Sequence, residues 1–375
     1  MRLNKHRGII FLLVILLLAG ACIDPIDFDT GEEPRRLVVE GLISNNSWSE
    51  RQEYPAPAEP FYVALRWTSE VGNEFDQVIN DAQVLLIDSE GKAFEYIWNP
   101  VEERYVLLDA EFSAVPGVEY YLHIMLANGD IYESDKEVLH PASPINSLEV
   151  NHTSRIKEIQ VGPETEFVDQ RGVELLVNLP EHGGDTRFYR WKVTPSWVYE
   201  TSYLPNGSPN KTCFVTNKFY FQKINIRRDR SGGYPHQLFF LETEDNERVE
   251  QDFTALITQY SLSPEAYRYW EELAIQQESG GGIFDPPPFP LSTNIRNIND
   301  PAEKVSGFFM VAHESVIRWY INMNELPYPI SFPDRCQPIP GVPFIPPQGC
   351  TNCLEWPGGK SSISNQKPEW WRDYQ

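Results

Sequence analysis

Apolar and polar positions alternate in short bursts from residue 37 to residue 143, with turn residues between them. Leu37, Val38, Val39, Gly41 and Ile43 fit a first strand, and residues 61–67 alternate as a second. Residues 84–87 run apolar into the turn Asp88-Ser89-Glu90-Gly91, and 93–98 returns. Further runs cover 105–108 and 118–125, the latter entered through Pro116-Gly117. Asn128-Gly129-Asp130 is a hairpin turn of the Asn-Gly type, and 131–134 runs back. About seven short strands at this spacing predict an immunoglobulin-like β-sandwich over 37–143. The segment holds no cysteine, so the Cys…Trp…Cys signature of antibody domains is absent. His140-Pro141-Ala142-Ser143-Pro144 reads as a linker.

The pattern resumes at Leu148-Glu149-Val150 and is clear over 173–179. His182-Gly183-Gly184-Asp185 reads as a hairpin turn, with 188–193 running back. Residues 219–226, 236–242 and 253–260 fit further strands of a second β-rich domain over 147–326. One helix interrupts it near 263–277. Ser263 is a natural N-cap, Pro264 suits the first helical position, and Glu265 complements the helix dipole. Tyr267, Trp270, Leu273 and Ala274 recur at helical spacing and are expected to face the core. Gly280-Gly281-Gly282 stops the helix, and 305–312 and 316–323 read as two closing strands. From 327 to 375 the chain turns rich in Pro, Gly and Cys, a tail that wraps the second domain. The expected fold is mainly β: an N-terminal immunoglobulin-like sandwich, a second β-rich domain with one short helix, and a Cys/Pro-rich C-terminal tail.

The first 36 residues break the alternation. Arg2, Lys5 and Arg7 precede an apolar run over 9–18, then Ala19, Gly20, Ala21 and Cys22. A basic region, an apolar core of ~7–15 residues and small residues at the cut make a signal peptide over 1–21. The cysteine directly after them makes it a lipoprotein signal, with Cys22 lipidated and palmitate-bearing as the new N-terminus. An ordinary signal peptide with an incidental cysteine, or an uncleaved anchor, is the plainer alternative. Residues 22–36 form an acidic tether carrying Asp24, Asp27, Asp29, Glu32 and Glu33. No second apolar run approaches the ~20 residues of a membrane span.

Charge narrows the function classes. Loss of Arg2, Lys5 and Arg7 takes 31 basic residues to 28 against 54 acidic ones, a net charge of −26. Such a surface is repelled by nucleic acid and by anionic lipid. Cys213, Cys336, Cys350 and Cys353 read first as two disulfides in an exported protein, with three pairings open. A zinc site is the rival reading, weakened by a single C-x-x-C.

The stretches LITQYSLSPEAYRYWEEL, GGGIFDPPPFPLSTNI and DPAEKVSGFF within 256–311 resemble the Bacteroidota outer-membrane lipoproteins of the domain of unknown function 4249 family. RRLVVEGLIS, AQVLLIDSEG and PGVEYYLHI agree, as do the CTNC pair and KPEWW. The acidic residues after Cys22 resemble that phylum's signal for export to the cell surface. The resemblance implies no enzyme activity, no cofactor and no catalytic residues. It implies an accessory or docking role beside a TonB-dependent outer-membrane receptor, on the cell exterior or, alternatively, the periplasmic face. A glycan- or peptide-binding surface module is the second reading.

Catalytic patterns are incomplete. His182-Gly183-Gly184 lacks a partner G-x-S-x-G turn, and His313-Glu314 is followed by Ile317 where a zincin needs histidine. Asn294 to Asp300 is a polar loop expected to satisfy its own backbone. Among ten tryptophans, Trp48, Trp356, Trp370 and Trp371 lie in loops and are the candidates for a partner surface.

Overall fold

The computed structural model describes residues 35–54, 59–68, 77–140, 142–279, 289–330, 332, 336, 345–358 and 361–372. Cys22, the signal peptide and the acidic tether lie outside them. The chain is mainly β, and its described strands form three sheets.

Nine strands before residue 139 seed the first sheet. They are β1 (Leu37–Ser44), β2 (Tyr62–Trp67), β3 (Gln77–Val78), β4 (Gln83–Asp88), β5 (Ala93–Asn99), β6 (Arg104–Leu107), β7 (Glu119–Met125), β8 (Ile131–Ser134) and β9 (Glu137–Val138). A four-residue helix, α1 (Trp48–Arg51), follows β1. In β1 the alternation is strict: Leu37, Val39, Gly41 and Ile43 point inward and Glu40 outward. The sheet rolls on itself, so one interior collects Val39, Val63, Leu86, Leu122 and Tyr132 from strands distant along it. At Gly41 a Cβ would lie 3.2 Å from Val63 and 3.6 Å from Leu122 of β7, across that interior.

The second region begins with β10 (Leu148–Val161), β11 (Glu164–Leu179), β12 (Arg187–Glu200), β13 (Thr212–Thr216), β14 (Asn225–Asp229), β15 (Tyr234–Glu242) and β16 (Asp252–Ser261). Then come α2 (Pro264–Glu278), β17 (Ile295–Asn297), β18 (Ser306–Ala312), β19 (Glu314–Asn322) and β20 (Ser362–Ser364). Strands β10-β11-β15 form a three-stranded sheet. A six-stranded sheet runs β19-β16-β12-β13-β20, with β14 also on β12. Val173, Leu175 and Leu241 from the smaller sheet meet Trp191, Trp197, Phe253 and Ile257 from the larger in one core. Residues 182–185 do not close a hairpin; they carry the chain from one sheet to the other, and His182 sits 3.1 Å from buried Asp229.

Two strands expected to close the second domain part company. β19 pairs with β16, whereas β18 pairs in parallel with β1, and β17 pairs with β8. The first sheet therefore draws strands from beyond the linker at 140–144. Asn294 completes the roll: its amide donates to the Phe309 carbonyl at 2.8 Å and accepts from the Phe309 N–H at 3.0 Å. One buried side chain thus stands in for a backbone rung between the β17 and β18 ends of the sheet.

β18 is apolar on both sides because both are covered. Phe309 and Val311 face the rolled interior, while Phe308, Met310 and Ala312 pack with Tyr260, Leu262, Ala266 and Tyr269. Ser263 caps α2 as expected, accepting from the Ala266 N–H at 3.1 Å. The buried helical residues are Ala266 and Tyr269; Tyr267, Trp270, Leu273 and Ala274 are half-buried at the margin.

Candidate functional site

A cleft opens where the outer face of β12, β16 and β19 meets the outer face of the rolled sheet. Strand alternation builds its floor. Tyr189, Trp191 and Val193 enter the sandwich core, so Arg190, Lys192 and Thr194 project the other way. Register sets them in rows: Arg190, Tyr260 and Glu314 across one, Lys192, Thr258 and Val316 across the next, Thr194, Leu256 and Arg318 across the third. The wall comes from the first sheet through Arg51, Glu59 and Tyr62, and Trp370 of the tail closes one end.

Helix α1 places Arg51. Ser47 and Glu50 form a capping box, with Glu50 N–H donating to Ser47 Oγ at 3.2 Å and Ser47 N–H to Glu50 Oε2 at 2.6 Å. Arg51 then reaches Glu314 Oε2 at 2.5 Å and Ser44 Oγ at 3.0 Å, and lies over Phe61. This buried ion pair fastens the two regions together. Removing one partner of such a pair costs about 3–5 kcal/mol.

Other charges line open space. Two adjoining cavities of about 330 Å³ and about 310 Å³ share Arg51, Glu59, Lys192 and Tyr260. A larger groove of about 960 Å³ lies at the edge of β12, between β13 and β14, and carries Arg155, Arg190, Lys192, Lys218 and Lys223 with no carboxylate. Lys192 lines all three. Burial lowers its pKa, Lys218 and Arg190 add to the depression, and Glu59 works against it. Burial raises Glu59, but the hydrogen bond from Lys218 and the nearby cations outweigh it, so Glu59 stays below its ordinary value. Burial likewise lowers Arg190, whose guanidinium lies 3.6 Å from the Trp270 ring centroid. Arg318 is brought down to about 10 by burial and stacks on Trp370 at 3.8 Å.

The tail departs from expectation at two tryptophans. Trp356 is buried against Trp197 in the sandwich core, its indole N–H donating to Glu247, and Trp371 is buried against Phe214. Neither presents a partner surface. Trp48 and Trp370 are half-buried, Trp48 on α1 and Trp370 in the cleft. The cause is covalent: Cys213 pairs with Cys353 and Cys336 with Cys350, pulling the tail onto β13. The C-x-x-C cysteines thus serve separate bridges and leave no thiolates for zinc. Among the described residues no cluster of His, Cys, Asp and Glu is arranged for a metal, and no helix is long and apolar enough to cross a membrane.

A second feature stands apart from the cleft. β10 and β11 pair continuously from Leu148↔Val177 to Val161↔Glu164, yet β15 covers β11 only over Gly172 to Leu179. The rest projects as a two-stranded arm. Its core-facing side carries Val173 and Leu175 at the base and Phe167 and Ile156 further out, 70% and 76% exposed. The polar loop at 294–300 serves structure: Asn297 Oδ1 accepts from the N–H groups of Asn299 and Asp300.

Residues 23–318 match the family described as Domain of unknown function (DUF4249), and the chain belongs to it. No curated protein and no solved structure matches the chain.

Proposed function

We propose that this is a non-enzymatic lipoprotein of the outer membrane, anchored through Cys22 and facing the cell exterior, that docks on a TonB-dependent receptor as its accessory. The observation that carries this reading is the projecting arm. Eight residues per strand, 154–161 and 164–171, lie beyond the β15 cover and extend roughly 26 Å at ~3.3 Å per residue. Large apolar side chains exposed along a projecting hairpin are what an interaction surface needs. The Cys22 motif and acidic tether supply the membrane address. The test is purification of the tagged full-length protein from its native membrane, beside an Ile156→Asp/Phe167→Asp variant. A receptor recovered with the wild type and lost with the variant supports the proposal. Recovery free of any outer-membrane partner, or equal capture by the variant, overturns it.

A second reading, a module that binds a glycan or peptide, is favoured by the cleft. Its volume suits a small ligand, and polar groups converge there from strands far apart in sequence.

A further inference from the structure

The arrangement of charge in the cleft points to the kind of ligand. Of its cations, Arg51 is neutralised by Glu314 and Lys218 by Glu59. Arg190 and Lys192 are different. The side chain of neither makes a hydrogen bond or an ion pair to any described residue, although Arg190 stacks on Trp270 and approaches Tyr260. Both stand on the same face of β12, two residues apart, within space large enough for a small molecule. Every one of the three cavities has more cationic than anionic side chains in its lining, in a chain with 54 acidic and 31 basic residues.

An ammonium held in a half-buried cleft without a partner lowers stability. A chain with this excess of carboxylates has ample means to pair it, as it pairs Arg51, Lys218 and Lys223. Leaving Arg190 and Lys192 open, side by side, keeps about two positive charges for something that arrives from outside. With Arg51 and Lys218 already paired, the open charge matches an acid group of one or two charges and not a polyanion. The Trp270 ring backs the Arg190 guanidinium and shields one of its faces from water, which strengthens a charge-assisted hydrogen bond made by its edge.

We infer that the cleft binds a small organic anion of one or two negative charges, with Lys192 as the principal contact to its acid group and Arg190 as the second. This rests on the reading of the cleft as a binding site and is independent of the arm.

The test titrates the full mature protein at low salt with galacturonate, glucose 6-phosphate, inorganic phosphate and, as neutral counterparts, galactose and glucose. Binding is followed by tryptophan fluorescence and calorimetry, and the carboxylate and phosphate arms separate the two acid chemistries. Saturable binding of at least one organic anion, at least ten-fold tighter than its neutral counterpart, is expected. Affinity should fall at least ten-fold in Lys192→Met and be largely kept in Lys192→Arg. Lys192→Met should also melt no lower than the wild type, because it removes an unpaired charge; a merely structural lysine would lower the melting temperature. Three results overturn the inference: inorganic phosphate binding as tightly as any organic anion, anion binding untouched by Lys192→Met, or no Lys192-dependent binding by any probe. Tight, Lys192-independent binding of a neutral sugar would overturn it while leaving the cleft a binding site.

Discussion

The rolled sheet and the sandwich bury aromatic-rich cores by different means. In the rolled sheet, strict alternation and one bridging asparagine complete the core with no cross-link among its strands. In the sandwich, β12 and β16 turn one face to the core and keep arginine, lysine, threonine and tyrosine on the other. That second face adds little hydrophobic stabilisation and carries desolvated charge. Two disulfides and a tail packed through Trp356 and Trp371 offset the deficit. Where a sheet must present chemistry on its outer face, the fold secures it from elsewhere.

Breaking the longer cross-link tests this difference most strongly. Cys213 and Cys353 are 140 residues apart, and closing so long a loop stabilises by about 5 kcal/mol on the chain-entropy account. A Cys213→Ser/Cys353→Ser variant should lose hydrogen-exchange protection over β13, β20 and the tail well before β1 to β8. Equal loss in both regions would dissolve the distinction. Next in size is Phe309→Ala, expected to cost about 4 kcal/mol in urea unfolding. Phe309 is fully buried in the rolled sheet, and β18 passes through His313 directly into β19. Protection should therefore fall in both sheets, and a loss confined to the first would show that they unfold separately.

The smallest effect concerns pH. Glu137, on β9, is buried beside Ser263 of the α2 cap and Asn294 of the rung, and burial pushes its pKa up to about 7. A raised carboxyl pKa means that the unfolded chain ionises first. Stability should fall as pH rises from the ordinary carboxylate range to about 7 and then level off, a loss of up to about 3 kcal/mol. Glu137→Gln should flatten this slope and gain stability at pH 8; an unchanged pH profile would show that Glu137 is solvated.

Much of the first sheet was legible. The turns at 88–91 and 128–130 and the strands around them follow from local alternation, and so does the Ser263 cap. The places of β17 and β18 were not, because Val38 and Ser306 carry no local mark of their pairing. Residues 151–172 carry no apolar period, because the arm is solvated on both faces. Arg190 and Lys192 could have been noticed as charges at alternate positions within an otherwise aromatic strand. The cleft itself could not, since Arg51, Lys192, Tyr260 and Glu314 meet only after the sheets are assembled. Loop position misled on Trp356 and Trp371, because disulfide pairing, which spacing leaves open, decides which loops are pulled inward.

The parallel pairing of β1 with β18 has a consequence for how the protein is made. A chain synthesised from its N-terminus delivers β1 early, but the strand that covers its second edge arrives only with residue 306. Until then β1 offers an open row of backbone donors and acceptors, a template for joining the wrong strand. Folding of so non-local a sheet is slow. The interval before residue 306 emerges is thus when β1 is most open to mispairing, and a deletion beyond residue 300 should harm the beginning of the fold as much as its end.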